Sequence, residues 1–355
     1  MAYKMIQVGT GGFGGYWCQA FLPPNVADGL IEVVAAVDIN PDNLSNAREY
    51  LGLTEDRCYT DVNKAFDENP ADFCTVVVPP AFHESVVDAA LAHGMHILSE
   101  KPIADSMVAS CRIADKVKRA GKKMGVTMSH RFRQDITTLR GLVRSGQYGP
   151  LDYLVCRFTC DCRRFASWGK FRHEIPDALM VEGSVHHLDL LADMAGGKCD
   201  TIYAQTWNPE WGEYAGDSQG LAIMHIANGA RVSYEGAKTN AFGFNCWGNE
   251  YIRAECAKAT LIMANGKLER FVRIDEQGWH GGIEGQGEEV ALIDQPKWAN
   301  AWLVEKFVRW LDGGEPMETN VEDNLQSVAL IFAAIESNRT GQPVNVQEFL
   351  KKARS

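Results

Sequence analysis

A glycine-rich segment near the N-terminus has the spacing of a dinucleotide-binding loop. Residues 9–14 form a G-x-G-x-x-G motif that follows a predicted strand and opens a predicted helix. Gly9 permits a tight turn, Gly11 lets a pyrophosphate approach the backbone, and Gly14 lets helix and strand pack closely. Asp38 ends the second predicted strand, where a carboxylate binds the adenosine ribose diol. No arginine follows Asp38 to meet a 2′-phosphate, so NAD is favoured over NADP. The alternative is a flexible glycine-rich turn in which Asp38 caps a helix.

Two further places carry side chains that are suited to proton transfer or charge stabilisation. Glu182 and His186 are four residues apart, so they share one face if their segment is helical. Lys101 stands between Glu100 and Pro102 at the end of a predicted parallel strand, and ligands bind at the carboxyl ends of such strands. The alternatives are that His186 is a buried core histidine and that Lys101 is a surface lysine.

The first 130 residues alternate strand and helix patterns, which predicts a parallel, doubly wound α/β sheet. The predicted strands are Met5–Val8, Glu32–Val37, Phe73–Val78, Met95–Leu98 and Met124–Met128. The predicted helices are Gly14–Phe21, which stops at Pro23, Pro41–Tyr50 after an Asn40 cap, His83–His93 and Asp105–Ala120. These elements place the glycine-rich segment and Lys101 at the carboxyl ends of strands.

From residue 131 onward, long extended segments predict an α+β domain built on a large, mostly antiparallel open sheet. The segments are Leu151–Cys162, Thr201–Thr206, Leu221–Ile226, Ala230–Glu235, Tyr251–Ala257, Thr260–Ala264 and Lys267–Ile274, with helices at Ile136–Ser145, Ala299–Leu311 and Val321–Ser337. We therefore predict a Rossmann domain over residues 1–130 and a substrate-binding and oligomerisation domain over residues 131–355. The last helix packs either within the second domain or back on the first.

The composition is that of a globular protein and limits the classes of partner. Of 355 residues, 46% are hydrophobic and 23% are charged, and the net charge of −11 argues against nucleic acid or an anionic membrane as a partner. The chain shows no apolar run long enough for a membrane span and no secretory leader pattern. Ten scattered cysteines without a Cys-x-x-Cys pair indicate reduced thiols, a cytoplasmic location and no metal site, although Cys156, Cys160 and Cys162 share parity on one predicted strand.

Four segments resemble the Gfo/Idh/MocA oxidoreductases, the family of glucose–fructose oxidoreductase, inositol dehydrogenase and a rhizopine-catabolism protein. The segments are 94–102, which ends in Glu-Lys-Pro, 76–83 with Pro79 and His83, 129–132 with Arg131, and 181–191 with Glu182 and His186. The resemblance covers essentially the whole chain. Val78 stands where the family often has threonine, and Glu182 stands where most members carry aspartate.

The resemblance implies oxidation of a secondary hydroxyl group, in which the carbon loses a hydride to NAD and the hydroxyl group loses a proton. His186 is then the general base, because imidazole titrates near neutral pH. Glu182 orients His186, and Lys101 holds the reacting oxygen and stabilises its developing negative charge. The implied cofactor-binding residues are Gly9, Gly11, Gly12, Phe13, Gly14, Asp38, Ile39, Pro79, His83, Glu100 and Lys101.

Arginine and aromatic side chains between residues 157 and 172 suit a polyhydroxylated ring, since flat faces stack on C–H bonds and arginine binds neighbouring hydroxyl groups. The candidate substrate-binding residues are Lys101, Arg131, Arg157, Arg164, Trp168, Phe171, Arg172 and His186. Segments 205–214 and 242–251 are two further candidate walls. The alternatives for these stretches are a solvated loop, a subunit contact or core packing. Nine tryptophans fit a large substrate such as a glycoside. These residues do not distinguish a hexose, a cyclitol and a glycoside from one another.

Three functions are compatible with the sequence. The leading one is an NAD-dependent dehydrogenase that acts on a cyclitol, sugar or glycoside. The second uses the same chemistry with a retained cofactor, for glycoside cleavage, epimerisation or internal redox. The third is a dinucleotide-binding regulator, because a fold does not dictate turnover.

A large open sheet is usually covered by another subunit, so we also expect a homo-oligomer.

Overall fold

The computed structural model describes residues 2–275 and 278–355, which form two compact units. The first unit consists of the described residues up to Phe132 together with Pro296–Val328 and Arg354. The second consists of Arg133–Gln295, Ala329–Ala353 and Ser355, apart from the two residues not described. Over the described residues, no helix combines the length and the apolar character that a membrane span requires.

The elements alternate in the first half of the chain and become strand-rich in the second. The helices are α1 (Phe13–Tyr16), α2 (Pro23–Ala27), α3 (Leu44–Leu51), α4 (Val62–Glu68), α5 (His83–Ala92), α6 (Met107–Arg119), α7 (Gln134–Arg144), α8 (Lys170–Glu174), α9 (Val185–Ala195), α10 (Ala299–Leu311), α11 (Val321–Thr340) and α12 (Val346–Arg354). The strands are β1 (Tyr3–Val8), β2 (Ile31–Val37), β3 (Cys58–Tyr59), β4 (Phe73–Val76), β5 (His96–Ser99), β6 (Met124–Val126), β7 (Leu151–Thr159), β8 (Cys199–Trp207), β9 (Gln219–Ile226), β10 (Arg231–Ala237), β11 (Tyr251–Cys256), β12 (Ala259–Ala264), β13 (Lys267–Val272), β14 (Glu288–Val290) and β15 (Val344–Asn345). Short 3-10 helices lie at Pro41–Asn43, Glu55–Arg57, Pro80–Phe82 and Ser129–Phe132, and π-helical segments lie at Trp17–Phe21 and Leu179–Ser184.

The first unit is a doubly wound parallel sheet, as the alternation of its elements predicts. Its strand order is β3-β2-β1-β4-β5-β6, and every pair is parallel. The strand order reverses between β1 and β4, which is the switch point where ligands bind in such sheets. The glycine-rich segment follows β1, the segment with Pro79 and His83 follows β4, and Lys101 follows β5, so three adjacent strands end in candidate site residues.

The domain boundary predicted from the sequence, after residue 130, puts residues 296–328 in the second domain. In the structure these residues belong to the first unit. The reason is the apolar face of α10, where Leu303 and Phe307 are fully buried in one cluster with Met5, Trp17 and Phe73. The Phe307 ring lies edge-on to Phe73, with centroids 5.3 Å apart. Burial of this face stabilises the return of the chain to the first sheet.

The helix predicted over Gly14–Phe21 does end at Phe21, and a second short helix that was not predicted, α2, begins at Pro23. Proline is tolerated in the first turn of a helix because no backbone N–H is needed there.

The second unit is built on one sheet with the order β14-β13-β12-β11-β7-β10-β9-β8-β15. All its pairs are antiparallel except β7 with β10, which confirms the mostly antiparallel sheet. Helix α9 lies against β7 and buries one sheet face. Alternate side chains of β9 point the other way, and Leu221 and Ile223 are 51% and 59% exposed. A covering subunit stays a prediction.

Candidate functional site

The glycine-rich segment joins β1 to α1, and its geometry requires small residues. Gly9 has a φ of +89°, and a Cβ atom there would lie 2.0 Å from the carbonyl oxygen of Val77. A Cβ atom on Gly14 would lie 2.3 Å from the carbonyl oxygen of Gly9. At Gly12, with φ +52°, no described atom lies within 4 Å of such a Cβ. The loop therefore closes tightly on itself and leaves one backbone side open, which fits the pyrophosphate of a dinucleotide.

Asp38 holds this loop from the end of β2. Its Oδ2 accepts hydrogen bonds from the backbone N–H groups of Thr10 and Gly11, at 2.8 and 2.9 Å. Its Oδ1 accepts from the N–H of Asn40 at 2.9 Å and from the side-chain amide of Asn43 at 3.1 Å. A carboxylate offers about four acceptor sites, so these four donors show that Asp38 organises the loop directly. The sequence predicts that Asp38 binds the ribose, with a helix cap as the alternative, and these contacts add a structural role in the loop.

Ile39 and Phe13 lie at the exposed edges of the same loop. Ile39 is 88% exposed directly after Asp38, and Phe13 is 45% exposed at the start of α1. Neither side chain is needed for the core, so both are accessible to a bound nucleotide.

Glu100 lies beneath the Glu-Lys-Pro turn and ties it to the first unit's core. Its Oε1 accepts from the indole N–H of Trp17 at 2.9 Å and from the side-chain amide of Asn300 at 3.2 Å, while its Oε2 accepts from the backbone N–H of Lys101 at 3.3 Å. Burial raises the pKa of Glu100, and the nearby Lys101 charge opposes that rise. Glu100 therefore positions the turn that carries Lys101. The sequence offered no signal for Trp17 or Asn300, since their contacts arise only from tertiary packing.

Lys101 is half-buried at the end of β5, and its peptide bond to Pro102 is cis. Arg131, in the 3-10 helix that follows β6, is also half-buried.

His83 lies inside the first unit, at the start of α5. It is fully buried, with Nε2 2.8 Å from the carbonyl oxygen of Val78 and Nδ1 3.2 Å from that of Ile103. The ring thus joins the segment after β4 to the segment after β5. This placement gives His83 a role in positioning the loop that contains Pro79.

In the second unit, Glu182 and His186 lie on one continuous helical run. Glu182 is in the π-helical segment that leads directly into α9, and His186 is in the first turn of α9. Both are buried, at 3% and 7% exposure. The condition attached to their spacing, a helical segment, is met. Single π-helical turns inserted in helices are frequent at functional sites.

Arg172 pairs with Glu182, which the sequence analysis did not foresee. Its Nε lies 3.0 Å from Oε2 of Glu182. Its guanidinium also lies 5.1 Å from the ring centroid of Trp168 and 4.5 Å from that of Phe171. Arg172 is one of the substrate-binding residues predicted from the sequence. In the structure its guanidinium compensates the charge of a buried candidate catalytic carboxylate.

Trp247 contacts His186, and Lys238 contacts Trp247. The His186 ring lies edge-on to Trp247, with centroids 6.0 Å apart. The ammonium of Lys238 lies 4.2 Å from the Trp247 centroid. Trp247 falls in candidate wall 242–251, whereas Lys238 was missed because a lone lysine after a strand carries no sequence signal. His187 is fully buried and stacks on Tyr234 and Trp247, and burial lowers its pKa.

Arg157 and Arg164 are not brought together with His186. In β7, Arg157 points to the face opposite Phe158, whose ring contacts His187, because side chains alternate along a strand. Arg157 pairs with Glu235 at 3.6 Å on that outer face. Arg164 is 80% exposed and pairs with Glu213 at 2.8 Å.

Comparisons with known proteins give a family match for each of the two parts of the chain. The NAD-binding Rossmann domain of the Gfo/Idh/MocA oxidoreductase family matches residues 4–129, and that family's C-terminal alpha/beta domain matches residues 140–346. The chain is 53% identical over 354 residues to an uncharacterized protein, y4oX, of Sinorhizobium fredii, covering 100% of this chain and 98% of that one.

Two more distant relatives carry functional or structural descriptions. The myo-inositol 2-dehydrogenase of Thermotoga maritima is 19% identical over 336 residues, which cover 89% of this chain and 91% of the relative. The crystal structure of an oxidoreductase from Agrobacterium radiobacter, in complex with NAD+, L-tartaric acid and magnesium, superposes with a TM-score of 0.81 at 19% identity. That superposition covers 98% of this chain and 99% of the other.

The two domain matches together span most of the chain, and each coincides with the sheet that its description requires. The glycine-rich loop, the Glu-Lys-Pro turn and the helix with Glu182 and His186 all fall within the matched residues. The chain therefore belongs to the Gfo/Idh/MocA family of oxidoreductases, with an NAD-binding Rossmann domain at its N-terminal end.

Proposed function

We propose that the protein is an NAD-dependent dehydrogenase that oxidises a secondary hydroxyl group of a cyclic polyol, namely a cyclitol, a sugar or a glycoside. The observation that carries this proposal is the buried Glu182–Arg172 pair at the foot of the helix that bears His186. Glu182 lies four residues before His186 on one helical run, and a carboxylate at that spacing can orient a general base. Kinship with an inositol dehydrogenase supports a ring polyol as the substrate class.

The chain's own residues divide the chemistry between them. The glycine-rich loop and Asp38 would hold NAD, which would supply the acceptor for the hydride of the carbon that carries the hydroxyl group. His186 removes the hydroxyl proton, and the edge of its ring lies against Trp247. Lys101 donates a hydrogen bond to the reacting oxygen and stabilises its developing negative charge. Glu100 keeps Lys101 in place through the backbone hydrogen bond at 3.3 Å.

Asp38 is proposed to select NAD over NADP, and its loss is expected to weaken NAD binding. Asp38→Ala removes the acceptor for the N–H groups of Thr10 and Gly11, so the loop loses its fixed shape. It also removes the negative charge that repels a 2′-phosphate. We expect the Kd for NAD to rise by about tenfold to a hundredfold, since each charge-assisted hydrogen bond contributes roughly 1.5–3 kcal/mol. Calorimetric titration with NAD and NADP measures both affinities.

Asp42→Ala is the matched control, because Asp42 is an exposed carboxylate in the same turn. It should leave the Kd for NAD unchanged. An unchanged ratio of the NAD and NADP affinities in Asp38→Ala would show that cofactor choice is made elsewhere.

The proposed activity is tested by the absorbance of reduced nicotinamide with excess NAD and a panel of inositols, free sugars, O-glycosides and C-glycosides. Multiple-turnover growth with one class of ring, lost in Lys101→Ala, supports the dehydrogenase and names its substrate. Conversion of a ring compound detected by chromatography without net NADH would contradict net oxidation and favour a retained cofactor. If NAD binds but neither method detects conversion of any compound, the proposed activity is wrong and a regulatory role is favoured.

A further inference from the structure

Lys238, directly after β10, is a fully buried lysine enclosed by aromatic rings. Its ammonium nitrogen lies 3.3 Å from the ring centroid of Trp168, 4.2 Å from that of Trp247 and 4.4 Å from that of Phe158. Its backbone N–H donates to the carbonyl oxygen of Ser218 at 3.0 Å, so its place is fixed. Lysine is almost never fully buried, because desolvating its charge is costly, and aromatic faces offset part of that cost.

This lysine lies next to the residues proposed for catalysis. A Cβ atom on Gly183, the neighbour of Glu182, would lie 3.2 Å from Cε of Lys238, so the lysine stem runs against the π-helical segment. Trp247, which Lys238 contacts from one side, meets the edge of the His186 ring. Lys238 and His186 therefore both contact the indole ring of Trp247.

The second indole connects to the same helix by another route. Trp168 lies against Lys238 and against the guanidinium of Arg172, which pairs with Glu182. The two indole rings lie 6.1 Å apart at an angle of 32°. Trp168 and Trp247 are each half-buried, whereas Lys238 is enclosed. The two rings therefore keep some exposed surface, whereas Lys238 has none.

We propose that Lys238 is a positioning residue for substrate binding, whose ammonium holds Trp168 and Trp247 as two fixed walls for the apolar face of a ring substrate beside His186. The inference rests on the proposed function and deepens it. Indole faces pack on the C–H face of a ring polyol, and two rings fixed at a set angle bind it at a smaller entropic cost than mobile rings do.

Cys162 provides a readout of the Lys238 charge that is independent of activity. Its backbone N–H donates to the carbonyl oxygen of Lys238 at 2.7 Å. A hydrogen bond from the Cys160 thiol lowers the pKa of Cys162, and burial opposes this effect. The charge of Lys238 lowers the same pKa further. The thiolate is the form that alkylates. Loss of the Lys238 charge should therefore move the pH midpoint of Cys162 alkylation upward.

The test compares Lys238→Met with wild type and with Lys198→Met, an exposed lysine of the same unit. We expect Lys238→Met to raise the KM for the ring substrate by about tenfold or more while kcat falls by less than about threefold. The reason is that the two walls bind the substrate and the transition state equally well, and losing such binding raises KM without lowering kcat. Alkylation of Cys162, followed by mass spectrometry, should need a higher pH. Lys198→Met should change neither quantity. A Lys238→Met protein that melts earlier but keeps the wild-type KM would overturn the proposal and leave a purely structural lysine.

Trp168→Leu provides a second variant should Lys238→Met fail to fold. It removes one wall from a half-buried position, and the same rise in KM is expected. Where both fold, Lys238→Met should raise the KM by a smaller factor in the Trp168→Leu background than in wild type, because part of its effect acts through that ring. Additive effects on KM would contradict the proposed route.

Calorimetric binding of the same ring compounds to the NADH-loaded protein separates this inference from the proposed dehydrogenase. If wild type binds a ring compound without oxidising it, and Lys238→Met binds it more weakly, only the proposed dehydrogenase activity is wrong. If the ring compound is oxidised, and wild type and Lys238→Met bind it with equal affinity, only the proposed role of Lys238 is wrong. Absence of both binding and oxidation in wild type would overturn both.

Discussion

Replacing His186 by alanine is expected to lower kcat by about a hundredfold to ten-thousandfold, the usual contribution of a positioned general base. His186 sits in the first turn of α9, four residues after a buried carboxylate, and its ring edge meets Trp247. Alanine removes the proton acceptor and leaves the helix intact, because alanine is a strong helix former. The measurement is the initial rate of NADH formation at saturating NAD and ring substrate, with the Kd for NAD determined in parallel and expected to be unchanged.

His225→Ala is the matched control, since His225 is a half-buried histidine on β9 of the same unit. It should keep wild-type kcat. Added imidazole should restore part of the lost rate in His186→Ala only. A His186→Ala enzyme that keeps more than about a third of wild-type kcat would assign the base to another group, because a positioned base contributes far more than that.

The parts of this site that the sequence predicted are those fixed by local chemistry. A glycine is required at position 9 because the carbonyl of Val77 leaves no room for a Cβ atom, and a G-x-G-x-x-G pattern signals such a requirement directly. The four-residue spacing of Glu182 and His186 likewise predicts that both lie on one face once the segment is helical. The parallel sheet follows from repeated βα units, and those units are visible in the hydrophobic pattern.

The parts that the sequence did not predict depend on tertiary packing or on the phase of a strand. Trp17 and Asn300 meet Glu100 from positions far along the chain, and Lys238 meets Trp168 only because separate loops converge. Arg157 has the right residue type for a sugar, but the two-residue period of β7 directs it to the other face of the sheet.

Replacing Arg172 by methionine is expected to lower the free energy of unfolding of the second unit by about 3 kcal/mol, near the lower end of the range for breaking a buried ion pair. The Glu182 side chain is 3% exposed, and Arg172 Nε lies 3.0 Å from it. Methionine keeps an apolar stem against Trp168 and removes the charge that compensates the carboxylate. Arg172 keeps 24% of its side chain exposed, so water screens part of the interaction and the upper end of the range is not expected. Urea unfolding of the cofactor-free protein, followed by circular dichroism, measures the loss.

Arg164→Met serves as the control for the loss of a surface ion pair, because Arg164 is 80% exposed beside Glu213, and its effect should stay within about 1 kcal/mol. The double variant Glu182→Gln/Arg172→Met should regain most of the stability that Arg172→Met loses, since a neutral amide needs no counter-charge. Its kcat should stay well below the wild-type value, because the amide no longer orients the imidazolium that His186 becomes after taking the proton. Recovery of both quantities would make Glu182 a structural residue, whereas recovery of stability alone separates the cost of burying the Glu182 charge from its use in catalysis.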